Sequence, residues 1–136
     1  MAGCKQNELK LNKNIILDLT ENVESGYDVI SFGKNKFTMR DFRQESGGSE
    51  CLSYGGILCN NGKQLCECFS DGWGGMTELK PLSVVARALM MSIKLKLGEV
   101  KWQYRNEVRD CTLDFIADML ARNEYTKLNR TLKGKC

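Results

Sequence analysis

The strongest local signal in this chain is the stretch ECLSYGGILCNNGKQLCECFS, residues 50–70. Two β-rich runs flank Asn60, Asn61 and Gly62 there. Asn-Gly adopts the positive φ angles of a tight turn at low cost, so the stretch predicts a β-hairpin.

The hairpin has two alternative registers. A two-residue turn of type I′ pairs Leu58 with Leu65, and it pairs Tyr54 with Phe69 further along. A three-residue loop closed by a glycine bulge shifts the pairing by one residue, so that Ile57 opposes Leu65. The sequence does not choose between them.

Three further strands are predicted before the hairpin from their β-branched and aromatic residues. In the last of them, Phe37, Met39 and Asp41 are expected on one face and Phe42 on the other, which is the alternation of a half-buried strand. The three predicted strands are NIILDLT (14–20), YDVISF (27–32) and KFTMRDF (36–42).

The period becomes helical after the hairpin. Pro81 suits the first turn of a helix, with Thr77 or Lys80 as the cap and Gly98 as the end. The residues at helical spacing are Leu82, Val85, Leu89, Ile93 and Leu97, with Ala86 and Met90 alongside.

A short strand, 100–104, separates this helix from a second one. Asp110 or Thr112 can cap that second helix, which is predicted over 111–122. Its inward face has the spacing of an amphipathic helix and comprises Leu113, Ile116, Ala117 and Leu120.

The order of strands first and helices after predicts an α+β fold. We expect an antiparallel sheet of about four to five strands in the first half, packed by two helices from the second half. The expected organisation is a flexible N-terminal segment over 1–13, a single α+β domain over 14–123 and a basic C-terminal tail over 124–136.

Composition restricts the chemistry. The chain has 136 residues, 42% of them hydrophobic and 27% charged, and no histidine. It therefore predicts one globular domain without His-dependent nucleophiles or His–metal sites. No apolar run reaches the ~20 residues of a membrane helix, and no secretory signal precedes residue 14. Glu50, Glu67 and Asp71 lie near one another in sequence, but they fit surface and turn positions. We expect neither an enzyme nor a cofactor.

The chain contains seven cysteines, an odd number that favours free thiols in a reducing compartment, the cytoplasm. Four of them raise a zinc hypothesis, namely Cys51, Cys59, Cys66 and Cys68. Cysteine-only zinc sites normally show two C-x-x-C pairs, whereas the spacings here are C-x7-C, C-x6-C and C-x-C. Buried apolar thiols are the preferred interpretation.

The segment after the hairpin is rich in glycine. Such a loop permits close approach of another backbone, and an accessible tryptophan is an effective interface anchor. The alternative interpretation is a structural turn in which the indole covers the sheet edge. The candidate partner-binding residues are Asp71, Gly72, Trp73, Gly74, Gly75 and Glu67.

The run FTMRDFRQESGGSECLSYGGILCNNGKQLCECFSDGWGG, residues 37–75, resembles a family of small, mostly uncharacterised proteins of bacterial and phage genomes, and the match covers about residues 37–76. The specific parts are the Asn61-Gly62-Lys63 turn and the loop from Asp71 to Gly75. Ser70, the hairpin cysteines and an added N-terminal segment depart from that pattern. The resemblance implies an accessory protein of a phage or mobile element and transfers no enzymatic activity.

The expected function is to bind and inhibit a host protein, such as a nuclease or an immune effector, in the host cytoplasm. Acidic residues around the hairpin would steer a basic partner and Trp73 would anchor it. A small-ligand alternative is a nucleotide-sequestering pocket under the same loop.

A second alternative is an accessory role in nucleic-acid binding, because the positive charge is concentrated after residue 94. Packing of the 100–104 aromatics into the core is the preferred interpretation of that strand. The nucleic-acid candidates are Lys127, Arg130, Lys133, Lys135, Trp102 and Tyr104.

The first helix also offers a surface for association. Met90, Met91 and Leu95 are expected on its less buried side, where a second copy of the chain is one candidate partner. The competing interpretation is a helix buried on two sides.

Overall fold

The computed structural model describes residues 8–12, 16–18, 27–44, 53–70, 77–104 and 107–134. Two sheets and two helices lie within these ranges. In chain order the elements are β1 (Glu8–Leu11), β2 (Ile16–Asp18), β3 (Val29–Phe32), β4 (Asn35–Gln44), β5 (Tyr54–Asn60), β6 (Lys63–Ser70), β7 (Glu78–Pro81), α1 (Val84–Leu97), β8 (Lys101–Tyr104), β9 (Glu107–Asp110) and α2 (Leu113–Gly134).

The larger sheet has six strands in the order β1-β3-β4-β5-β6-β7. All neighbouring pairs are antiparallel except β1 and β3, which run parallel. The α+β class is therefore confirmed, while the expected four to five antiparallel strands are corrected to a six-stranded mixed sheet. The sequence signal for the short outer strands was weak because each has only four residues.

Strand β1 lies inside the segment 1–13 that was expected to be flexible. It pairs with β3 and alternates exposed and buried positions, with Leu9 and Leu11 in the core. Ser31 Oγ of β3 donates a 2.7 Å hydrogen bond to Glu8 Oε2. Two leucines in a polar stretch are enough to form a strand here, because β3 supplies the hydrogen-bond partners of the β1 backbone.

The hairpin of β5 and β6 turns at Asn61 and Gly62. Both residues have positive φ, 54° and 82°, which is the geometry of a two-residue type I′ turn. The predicted turn is confirmed, and Asn60 pairs with Lys63 as it requires.

Further along the hairpin both predicted registers are wrong. The pairing shifts after Cys59 opposite Gln64, and Leu58 then opposes Cys66. Leu65 is thus an extra residue on β6, a β-bulge that displaces the later pairs by one position. Tyr54 opposes Ser70 instead of Phe69 as a result.

Strand β4 has an irregularity between Arg40 and Arg43, where Asp41 adopts a φ of 54°. After it, Phe42 stacks on Tyr54 with ring centroids 5.9 Å apart. The expected placement of Phe42 on the face opposite Phe37 is therefore wrong, because both side chains pack on the core.

Helix α1 begins later than predicted. Ser83 is its N-cap and accepts a 3.0 Å hydrogen bond from the Ala86 N–H, whereas Pro81 ends β7. The caps proposed at Thr77 and Lys80 are thus wrong, and Gly98 is the C-cap as predicted.

Helix α2 is capped by Thr112, whose Oγ1 accepts a hydrogen bond from the Phe115 N–H. The helix continues to Gly134, so much of the segment 124–136 that was expected to be a tail is helical. Both helices pack on the same sheet face and share its core with Tyr54 and Leu58.

A three-stranded sheet, in the order β2-β8-β9, forms the second layer of strands. Its β2 lies in the predicted strand 14–20, and β8 in the predicted strand 100–104. The Trp102 ring stacks on Phe115 of α2 with centroids 4.7 Å apart and planes inclined by 6°.

Candidate functional site

Helix α1 has a second apolar side that points away from the protein. Ala86, Met90, Ile93 and Leu97 form its buried side. On the opposite side is a stripe that we call the α1 stripe, in which every side chain is exposed. It comprises Val84, Ala88, Met91 and Leu95.

The members of the α1 stripe are exposed to an unusual degree for aliphatic residues. Val84 is 85% exposed, Leu95 83% and Met91 63%. Two further residues, Val85 and Leu89, widen the stripe along one edge and are exposed as well. Single exposed apolar residues are common on proteins, but a contiguous group of them marks an interaction surface.

The expected partner face of the first helix is only partly matched by this arrangement. Met91 and Leu95 are exposed as expected, but Met90 is buried at 3% exposure and belongs to the core. Leu82, Val85 and Leu89 share the predicted helical spacing with Ile93 and Leu97 but, unlike those two, are exposed. In a helix that is apolar on two opposite sides, the apolar residues of both sides follow the helical period. The spacing in sequence therefore does not show which side faces the sheet.

The edge of the α1 stripe opposite Val85 is basic. Arg87 and Lys94 lie along it, and Lys96 lies near the C-terminal end of the helix, all three exposed. The segment 84–97 contains no acidic residue. The surface therefore combines an apolar centre with a positively charged border.

The glycine-rich loop that was predicted to bind a partner lies outside the described residues, so Asp71, Gly72, Trp73, Gly74 and Gly75 have no structural account. The residues on either side, Ser70 and Thr77, are both buried.

Glu67 is the one member of that predicted set within a described element. It is exposed on β6 and pairs with Ile57 of β5 and Lys80 of β7. Its side chain points away from the helices, because the adjacent Cys66 and Cys68 point into the core.

A polar cluster links the chain just after the loop to α2. Tyr54 OH donates to Asp118 Oδ1 at 3.0 Å, and Thr77 Oγ1 donates to the same oxygen at 2.5 Å. Burial raises the pKa of Asp118 above that of an ordinary carboxyl group, although the two hydrogen bonds oppose this effect. Burial also raises the pKa of Tyr54. The cluster therefore holds three elements together through one carboxylate oxygen.

The cluster was not predicted from the sequence. Asp118 follows Ala117, a core residue, and stands at the edge of the apolar side of α2. The available signal was an acidic residue next to a core position of the predicted helix. Its hydrogen-bond partners could not be identified from this signal, because they lie 41 and 64 residues away in sequence.

The four cysteines of the zinc hypothesis do not face a common point within the described chain. Cys66 and Cys68 lie on the core side of β6, whereas Cys59 follows Leu58 on β5 and so points to the other face. Cys51 is outside the described residues. No group of three or more potential metal ligands forms among the residues that the structure describes.

The thiols of Cys66 and Cys68 interact with each other inside the core. Their hydrogen bond lowers the pKa of Cys66 and raises the pKa of Cys68, and burial raises the latter further. Burial raises the pKa of Cys111 to about 12. The raised pKa values keep Cys68 and Cys111 protonated, and buried thiols of this kind act as small apolar side chains.

The nucleic-acid candidates fall in different settings. Lys127 is paired with Asp28 and, at 3.1 Å, with Glu124. Trp102 is partly buried on Phe115, as the preferred interpretation of its strand expects. Lys135 lies outside the described residues, and nothing is described of the side chains of Tyr104, Arg130 and Lys133.

Within the described parts of the chain, neither helix combines the length and the apolar character that crossing a membrane requires. Comparisons of the sequence and structure with protein-family models, curated proteins and solved structures found no match.

Proposed function

We propose that this chain is a non-enzymatic accessory protein that binds another protein through the α1 stripe. The proposal rests on one observation, the exposed apolar side of a helix whose opposite side is already in the core. Complete burial of a Val, Leu or Met side chain contributes about 1.5–3 kcal/mol, so covering Val84, Met91 and Leu95 would supply a large part of a binding free energy.

The biological setting follows from the resemblance of residues 37–76 to the family of bacterial and phage proteins. It suggests that the chain belongs to a phage or mobile element and that its partner is a host protein in the host cytoplasm, for example a nuclease or an immune effector. Binding would inhibit that partner by covering its surface. Trp73 and the rest of the 71–75 loop remain proposed contributors to the same interface.

The polar groups beside the loop form a structural cluster. Tyr54 and Thr77 direct their hydroxyl groups to Asp118, so that the three side chains are engaged with one another. This arrangement stabilises the fold around the loop and gives the loop two fixed ends.

The test is affinity capture from an extract of the native host with the full chain as bait. Leu95→Glu places a charge in the α1 stripe at its C-terminal member, where 83% exposure allows the substitution without loss of folding. Val108→Glu, at a 51% exposed position on β9, is the matched control. We expect the wild type and the control to capture one protein in near-stoichiometric amount. Leu95→Glu should reduce the captured amount at least about tenfold, a change that burial of a charge readily produces.

Two results would overturn the assignment. If the Leu95→Glu variant still captured every protein that the wild type captures, the α1 stripe would not be the binding surface. If only the Trp73→Ala variant lost the partner, with an unchanged melting temperature, the interface would be assigned to the loop. A captured partner is then purified and assayed with and without the chain to measure inhibition directly.

A further inference from the structure

The border of the α1 stripe is positively charged. Arg87, Lys94 and Lys96 are exposed, and within the described residues none of them forms an ion pair. The segment 84–97 itself contains no acidic side chain, and among the residues described Asp114 of α2 lines the same cleft as Lys94. A surface of this kind attracts a partner of opposite charge and selects its orientation.

The stripe itself has the spacing of a helix-pairing seam. Val84, Ala88, Met91 and Leu95 follow one another at intervals of four, three and four residues, as do the apolar positions of a coiled coil. The 14 residues of α1 form a helix about 21 Å long. A single amphipathic helix of similar length matches both the shape and the size of this surface.

Building on the proposed function, we propose that the occupant of the α1 stripe is an amphipathic helix of the partner protein with an apolar seam and acidic borders. Its apolar side chains cover Val84, Met91 and Leu95. Its Asp or Glu side chains lie opposite Arg87 and Lys94.

A second copy of the chain fits this surface less well. Antiparallel pairing of two α1 helices sets Arg87 and Lys94 of one copy against the same residues of the other. Parallel pairing sets this basic edge against the edge with Val85 and Ser92, so neither pairing supplies an acidic residue from within the helix. Like charges across an interface weaken association. The charge pattern therefore favours a different, acidic partner.

The test uses two synthetic peptides of about 20 residues with the same leucine seam, which span the 14 residues of α1 and leave a few residues to fray at each end. One peptide has glutamate borders and the other lysine borders, and binding to the full chain is measured by fluorescence anisotropy at low and moderate salt. We expect the acidic peptide to bind at least about tenfold more tightly, which a few exposed ion pairs can supply. Added salt should reduce the difference.

Charge-reversed variants provide the control. Arg87→Glu with Lys94→Glu should invert the preference towards the lysine peptide. Lys34→Glu with Lys36→Glu changes the net charge equally at exposed positions of the β3–β4 hairpin, where β4 is two strands away from β6, and should leave the preference unchanged. Leu95→Glu should weaken the binding of both peptides.

Equal binding of the two peptides, or binding of neither, would overturn the acidic-helix proposal. Self-association of the wild type that Leu95→Glu abolishes in sedimentation experiments would also overturn it and would assign the stripe to a second copy. If the peptides fail while Leu95→Glu still loses the captured host protein, the proposed function stands and only the partner's chemistry is wrong.

Discussion

The hydroxyl group of Tyr54 donates a 3.0 Å hydrogen bond to Oδ1 of Asp118, joining the central strand β5 to helix α2. Thr77, the first described residue after the glycine-rich loop, donates to the same oxygen. One carboxylate thus connects the sheet, the second helix and the end of the loop, so its ionisation should influence the stability of the fold.

Asp118→Asn should change how stability depends on pH. Because the pKa of Asp118 is raised in the folded state, its favourable contribution is fully present below the ordinary carboxyl pKa of about 4 and is lost as pH rises through the raised value. Asparagine keeps the acceptor oxygen and does not ionise. We therefore expect the melting temperature of the variant relative to the wild type to increase from acidic to neutral pH.

The control for this titration is Glu78→Gln, at an exposed position of β7. Its melting temperature relative to the wild type should not follow the same curve. A constant difference between Asp118→Asn and the wild type over the whole pH range would contradict the role assigned to Asp118.

Tyr54→Phe should destabilise the protein by about 1–2 kcal/mol, because it removes a donor to a buried carboxylate. The ring itself should remain stacked on Phe42. In a double-mutant cycle with Asp118→Ala, measured by urea denaturation, the two losses should not add, since each variant breaks the same hydrogen bond. Additive losses would show that the bond contributes nothing to the free energy of unfolding.

Gly62→Ala should cost about 1–2 kcal/mol, because the hairpin turn holds this residue at a φ of 82°. Gly98→Ala is the matched control. Gly98 has a φ of −59°, and an added Cβ would meet only the Leu95 carbonyl oxygen at 3.8 Å. Thermal denaturation should therefore show a clear loss for Gly62→Ala and a change within about 0.5 kcal/mol for Gly98→Ala. Equal effects would be inconsistent with the turn.

Trp102→Ala should lower the free energy of unfolding by about 2 kcal/mol or more, because the indole packs on Phe115. Phe69→Ala, at a 44% exposed position, should cost less. Retention of single-stranded oligonucleotides in a gel-shift assay should not differ between Trp102→Ala and the wild type. A stable Trp102 variant that had lost oligonucleotide binding would favour base stacking instead.

The features predicted correctly from the sequence are those encoded within a few residues. Asn61 and Gly62 specify their turn through their own backbone preferences. Gly98 marks the end of α1 as predicted, although its φ of −59° is one that any residue can adopt. Strands β3 and β4 follow from local β-branched and aromatic residues. Such signals need no knowledge of what lies elsewhere in the chain.

The features that were missed depend on distant partners. The bulge at Leu65 places Cys66 opposite Leu58, and no residue type in the hairpin indicates a bulge at that position. Strand β1 needs β3 beside it, and the cluster at Asp118 needs Tyr54 from another layer. The same limit applies to α1, where apolar residues on two sides left its orientation undecided until the sheet was in place.

The bulge at Leu65 also restricts how this hairpin can change during evolution. At the present chain length, a regular ladder from the same turn would pair Leu58 with Leu65, turning Cys66 and Cys68 outward and Glu67 and Phe69 towards the helices. Deleting Leu65 would instead restore a regular ladder and leave Cys66 opposite Leu58. Related sequences should therefore have either the extra residue with its bulge or neither, and the inward positions of Cys66 and Cys68 should be the same in both.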